Sequence, residues 1–178
     1  LTDLRPRRPE LWDLTAVDVV AGRGGLVVAA AGADSTGLAA DLDAAVAAVD
    51  DAWPMRWPGR VVLELPADAE QLQALVDRPG AGGLAAVTTL YDGGHGPVVR
   101  VRLNPEVNRT LVPLARQILL RHEITHAAQY ARPYEHVPAW LVEGSAELVG
   151  YAGSGVPDTV VAATLLAEVR AGRMPQRL

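Results

Sequence analysis

Residues 110–130, TLVPLARQILLRHEITHAAQY, decide how this chain is read. Leu111, Leu114, Ala115, Ile118 and Leu119 recur at helical spacing and make an apolar stripe. Continuing the stripe reaches His122, Thr125 and His126, so the two imidazoles extend that face and point into the interior or a cleft. His122-Glu123-Ile124-Thr125-His126 is the pattern H-E-x-x-H. Histidines four apart on a helix differ by about 40° of rotation and one turn of rise, so both rings can grip one ion. Glu123 lies about 100° round from His122, where it reaches a water held by such an ion from the side. The competing interpretation is a helix carrying two hydrogen-bonded, partly buried histidines and no metal.

The next helix weighs against that interpretation. Pro138-Ala139-Trp140-Leu141-Val142-Glu143-Gly144-Ser145-Ala146-Glu147 opens with a proline suited to a first helical turn. Glu143 and Glu147 are four apart and share a face. Sixteen residues, 127 to 142, separate His126 from Glu143, enough to end one helix, turn, and bring a second back against it. Two histidines and one carboxylate make a zinc site with a fourth position left for water. Glu147, one turn further on, is placed to accept the outer N–H of a ligand histidine. Gly144 removes a side chain beside Glu143 and predicts close approach of the two helices. Without a metal, Glu143 and Glu147 would be an exposed acidic helix face.

The rest of the chain is an ordinary globular sequence. Its 178 residues are 49% hydrophobic and 21% charged, which fits one domain with a proper core and excludes disordered and collagen-like chains. There is no cysteine, which excludes disulfides and thiolate metal sites. A net charge of −5 with no basic run argues against a nucleic-acid partner. No apolar run is long enough to span a bilayer. All 16 basic residues are arginine, and phenylalanine is absent, as GC-rich bacterial codons would favour. The start at Leu1 suggests a fragment of a longer protein, anchored through a missing segment or exported, and so facing outside the cytoplasm.

Residues 1–15 read as an arm or linker and 16–178 as one domain. Its sheet-bearing lobe covers 16–105 and its helical lobe 106–178. Residues 16–21 and 26–31 predict a hairpin, 37–53 an amphipathic helix, 61–65 a buried strand, 66–76 a helix and 84–91 a strand. Residues 98–103, VVRVRL, alternate strictly, with Arg100 and Arg102 on one face and Val99, Val101 and Leu103 on the other. That predicts a half-exposed strand at a sheet edge. Helices are predicted over 110–130, 137–151 and 158–171. Strands mixed with helices first and helices alone afterwards make an α+β domain.

H-E-I-T-H followed by W-L-V-E-G-S-A-E-L resembles the gluzincin group of zinc metallopeptidases, the peptidase MA-like superfamily, and its small bacterial members above all. The resemblance covers 110–152. It implies a zincin-like fold, a Zn²⁺ cofactor held by His122, His126 and Glu143, Glu123 as catalytic base and Glu147 as the partner behind a ligand. It implies hydrolysis of a peptide or protein substrate. It also implies that the strand at 98–103 lines the cleft, with Val99, Arg100, Val101 and Arg102 pairing with an extended substrate. Gluzincins add a Tyr or His that stabilises the oxyanion. Tyr151, two turns after Glu143, is the local candidate, and its alternative is a core tyrosine. Only 27 residues follow it. A second function therefore stays open, a catalytically inactive metal-binding or sensing module, with His136 as a possible fourth ligand closing the site. His95 in its glycine loop, Tyr130 and Tyr134 read as loop and packing residues. Asn108-Arg109-Thr110 reads as a helix start.

Overall fold

A computed structural model describes residues 9–76, 79–92, 97–131 and 136–173. Five strands, β1 (Val17–Ala21), β2 (Gly25–Ala30), β3 (Val61–Leu65), β4 (Ala86–Asp92) and β5 (Pro97–Leu103), form one mixed sheet in the order β1-β2-β3-β5-β4. The central three run parallel, and β1 and β4 close the two edges antiparallel to their neighbours. The chain is α+β, as its sequence predicts. The β1–β2 hairpin requires glycine at position 25. Its φ is +137°, and a Cβ there would lie 1.8 Å from the Val61 carbonyl oxygen.

The helices are α1 (Leu11–Leu14), α2 (Ser35–Ala52), α3 (Ala69–Leu75), α4 (Pro105–Thr110), α5 (Pro113–Gln129), α6 (Ala139–Tyr151), α7 (Asp158–Val161) and α8 (Ala163–Arg170). Asp34 caps α2 and Asp68 caps α3, each accepting a backbone N–H from three residues on. On one face of the sheet Leu38, Leu42, Ala45, Val46 and Val49 of α2 pack with Leu120, Ile124, Ala127 and Ala128 of α5 over Val27, Leu63, Val101 and Leu103. On the other face Leu11 and Leu75 cover Val28 and Val62. Among the described residues no helix is long and apolar enough to cross a membrane.

Four expectations are corrected. Residues 9–15, assigned to the arm, belong to the fold: Leu11 is fully buried and Glu10 nearly so. The helix expected over 110–130 starts only at Pro113, and Thr110 closes a separate helix before it, because Pro113 starts a helix and biases the residue before it away from helical geometry. The preceding helix, α4, is capped by Asn104, whose Oδ1 accepts from the Glu106 N–H at 3.0 Å; Asn108 and Thr110 start nothing.

The third correction concerns residues 98–103. β5 lies between β3 and β4 with hydrogen bonds on both sides, so it is not an edge. Its alternation is real, but both faces are buried. Val101 and Leu103 enter the main core. Arg100 and Arg102 clasp the fully buried Glu64, at 2.8 Å from Nη1 of Arg100 and 2.6 Å from Nε of Arg102. Arg100 also pairs with Glu10 and lies over the Tyr91 ring. Two carboxylates thus neutralise two guanidiniums, which is what lets charge sit under α1. The expected pairing of Val99, Arg100, Val101 and Arg102 with a substrate has no free edge to use.

The fourth concerns the close contact of α5 with α6. Gly144 is exposed and has no atom within 4 Å of a notional Cβ. The contact is made at Gly150, where a Cβ would come within 3.2 Å of the Ile118 carbonyl oxygen and 3.4 Å of the His122 Cβ.

Candidate metal centre

The core face of α5 runs through Leu120, Ile124, Ala127 and Ala128. The expected stripe of Leu111, Ala115, Ile118 and Leu119 is only half-buried, and Leu114 is exposed. His122 and His126 continue it into a cleft between α5, α6 and the edge strand β4, with a volume of about 570 Å³. Leu84, Ala86, Val87 and Thr88 form its β4 side, Val142 and Glu143 its α6 side.

At its floor Nε2 of His122 and Nε2 of His126 are 3.2 Å apart. Each is 3.5 Å from Oε2 of Glu143, delivered by α6. His122, His126 and Glu143 are the group of at least three His, Cys, Asp or Glu among the described residues whose atoms could hold one ion. His136, the possible closing ligand, is exposed and outside this group.

A hydrogen bond behind the His126 ring determines which of its nitrogens carries the proton. Nδ1 of His126 lies 2.7 Å from Oε1 of Gln129. The orientation of that amide is fixed, since its Nε2 donates to the Val142 carbonyl at 2.8 Å and to the Ser145 hydroxyl at 2.9 Å. Oε1 is therefore the atom facing the ring, and His126 Nδ1 must be the donor. Nδ1 of His122 faces Oε2 of Glu147 at 3.3 Å, within ion-pair distance. Nε2 of His126 then presents its lone pair toward Nε2 of His122 and the Glu143 carboxylate.

Glu123 is 8% exposed at the β4 side of the same cleft. Its Oε2 accepts from the Thr88 hydroxyl at 2.6 Å. Tyr151 is half-buried and lines an adjoining cavity of about 360 Å³ with Ala115, Ile118, Leu119, His122, Glu123 and Glu147. Tyr130 belongs to the wall of the main cleft. His95 and Tyr134 lie outside the described residues.

Sequence reasoning thus brings His122, His126, Glu143, Glu123 and Glu147 to one place. It misses Gln129, Ser145 and Thr88. Gln129 had a readable signal, three residues after His126 on the same helix. Thr88 had none, being 35 residues from Glu123.

Comparison with known proteins returns no matching family model, curated protein or solved structure.

Proposed function

We propose that this chain is a zinc-dependent metallopeptidase of the gluzincin type, with a zincin-like fold. One observation carries the reading: two imidazole nitrogens and a carboxylate oxygen converge on one point. The spacings of 3.2, 3.5 and 3.5 Å put the three atoms on a circle of radius about 2.0 Å. Zinc–nitrogen and zinc–oxygen bonds are ~2.0–2.2 Å, so one ion near the circle's centre contacts all three donors. Two neutral imidazoles and one carboxylate are the donor set of an under-neutralised catalytic zinc, and with three protein ligands one position stays open. The ion, when bound, supplies Lewis-acid activation of a water and of the scissile carbonyl.

The protein's own groups account for the remaining steps. Oε1 of Glu123 takes a proton from the attacking water and returns it to the departing amine nitrogen, so that water adds across the C–N bond. Gln129 and Glu147 hold the two ligand rings from behind. Tyr151, beside His122, is the candidate to steady the developing oxyanion. The open edge of β4 along the cleft suits an extended peptide, which would add as a further strand.

The test uses protein purified without chelator. Elemental analysis gives about one zinc per chain, and unstructured peptides are cleaved at a rate that Glu123→Gln abolishes while zinc content stays near one. Peptide cleavage that survives Glu123→Gln, or protein that takes up no zinc, refutes the reading.

A further inference from the structure

Strand β4 is paired on one side only, yet it carries the hydroxyl that meets Glu123. We infer that Thr88 is a positioning residue that aims the Glu123 carboxylate across the cleft; the inference rests on the role proposed above for Glu123.

Three observations carry it. First, the Thr88 hydroxyl has one proton and two acceptors within reach, Oε2 of Glu123 at 2.6 Å and the Glu123 backbone carbonyl at 3.0 Å. The shorter contact to the charged acceptor takes the proton, because charge-assisted bonds are roughly twice as strong as neutral ones. The carbonyl already serves the helical ladder of α5.

Second, the bond fixes a side chain that would otherwise be loose. Glutamate has three rotatable bonds and gives up rotamer freedom when held in one geometry. Anchoring Oε2 to β4 leaves Oε1 as the oxygen free for proton transfer.

Third, the anchor is itself held. The next residue, Thr89, projects to the opposite face of the sheet, where its hydroxyl accepts from Nη1 of Arg102 at 2.9 Å. Arg102 is tied to the buried Glu64. Consecutive threonines thus pin the strand from both faces while its outer edge stays open for a substrate.

The experiment compares wild type, Thr88→Val, which keeps the shape without the hydroxyl, and Thr88→Ser, which restores it. Acetohydroxamate binding to zinc-loaded protein is measured by calorimetry. The probe carries a proton that a carboxylate beside the ion can accept, which strengthens its binding, and it requires no turnover. Losing a hydrogen bond to a charged group predicts affinity at least about tenfold weaker in Thr88→Val. Thr88→Ser stays within about threefold of wild type, and the Thr88→Val change has no further effect in a Glu123→Gln background. Zinc stoichiometry and the urea midpoint confirm that each variant is folded and loaded.

Equal acetohydroxamate affinity in Thr88→Val and wild type, or no binding by either, overturns the positioning role. So does a loss that Thr88→Ser does not restore. If the predicted dependence appears but no peptide is cleaved, the peptidase reading falls and the positioning role stands. If peptides are cleaved while Thr88→Val matches wild type, the reverse holds.

Discussion

Replacing Gln129 by methionine keeps the side chain's length and removes its amide. In the native site that amide makes three contacts: it accepts from Nδ1 of His126 at 2.7 Å and donates to the Val142 carbonyl and the Ser145 hydroxyl at 2.8 and 2.9 Å. The first contact sets the tautomer of His126; the other two set which amide atom faces the ring. Gln129 is buried, so no bulk water replaces it readily.

An imidazole N–H left without its partner costs about 1–3 kcal/mol, and every 1.4 kcal/mol is tenfold in binding. The variant should therefore bind zinc about 10- to 100-fold more weakly, the range generally found when the group behind a ligand histidine is removed. Competition against a chromophoric chelator at fixed pH measures this directly. The control is Ser145→Ala, which keeps the Val142 anchor and should lose less than tenfold. Affinity within twofold of wild type for Gln129→Met would refute the claim that Gln129 sets the His126 tautomer.

Arg102→Met leaves buried Glu64 with Arg100 alone, and should destabilise the fold by about 3 kcal/mol in urea titrations while zinc affinity stays unchanged. The Asp43 carboxyl is held below its ordinary range, chiefly by the Gly24 backbone N–H donating to it at 2.7 Å. A depressed carboxylate contributes stability above its unfolded pKa of about 3.9 that is lost as pH falls through the folded value, so the acid slope of stability below about pH 4 should flatten in Asp43→Asn. On the proposed reading zinc would join α5 to α6, so its addition should slow amide exchange in α6 and leave that in β1 and β2 unchanged; equal slowing in both places would argue for a site elsewhere.

Element positions were largely legible because they are set by local pattern. The 3.6-residue period of Leu38, Leu42, Ala45, Val46 and Val49 marks α2 whatever it packs against. The H-E-x-x-H helix was legible for the same reason, since one turn suffices to aim two rings. Strand order was not. The β4–β5 hairpin places the later strand inside and the earlier one at the edge, and nothing within VVRVRL reports that choice. Alternation states that a strand has two different faces, not that one is wet. Arginines at 100 and 102 read as solvent-facing because their neutralising partners, Glu64 and Glu10, lie 36 and 90 residues before Arg100.

The glycine error has the same origin and shows what places Glu143. Gly144 stood next to Glu143 in sequence, but adjacency along α6 says nothing about which flank touches α5. The packing residues are Ala146, Val149 and Gly150, all buried, and Gly150 is the one against Ile118 and His122. Glu143 lies about two turns earlier on the same helix, roughly 10 Å along its axis. A small change of helix angle at the Gly150 contact is therefore magnified at the Glu143 carboxylate, which is 64% exposed and has little packing of its own to hold it. Small residues at the far end of α6, together with the Gln129 bonds to Val142 and Ser145 at the near end, fix the helix at two points. The carboxylate projects from the near-end point, one residue after Val142 and two before Ser145, so its place opposite the imidazoles follows from the seating of the helix rather than from contacts of its own.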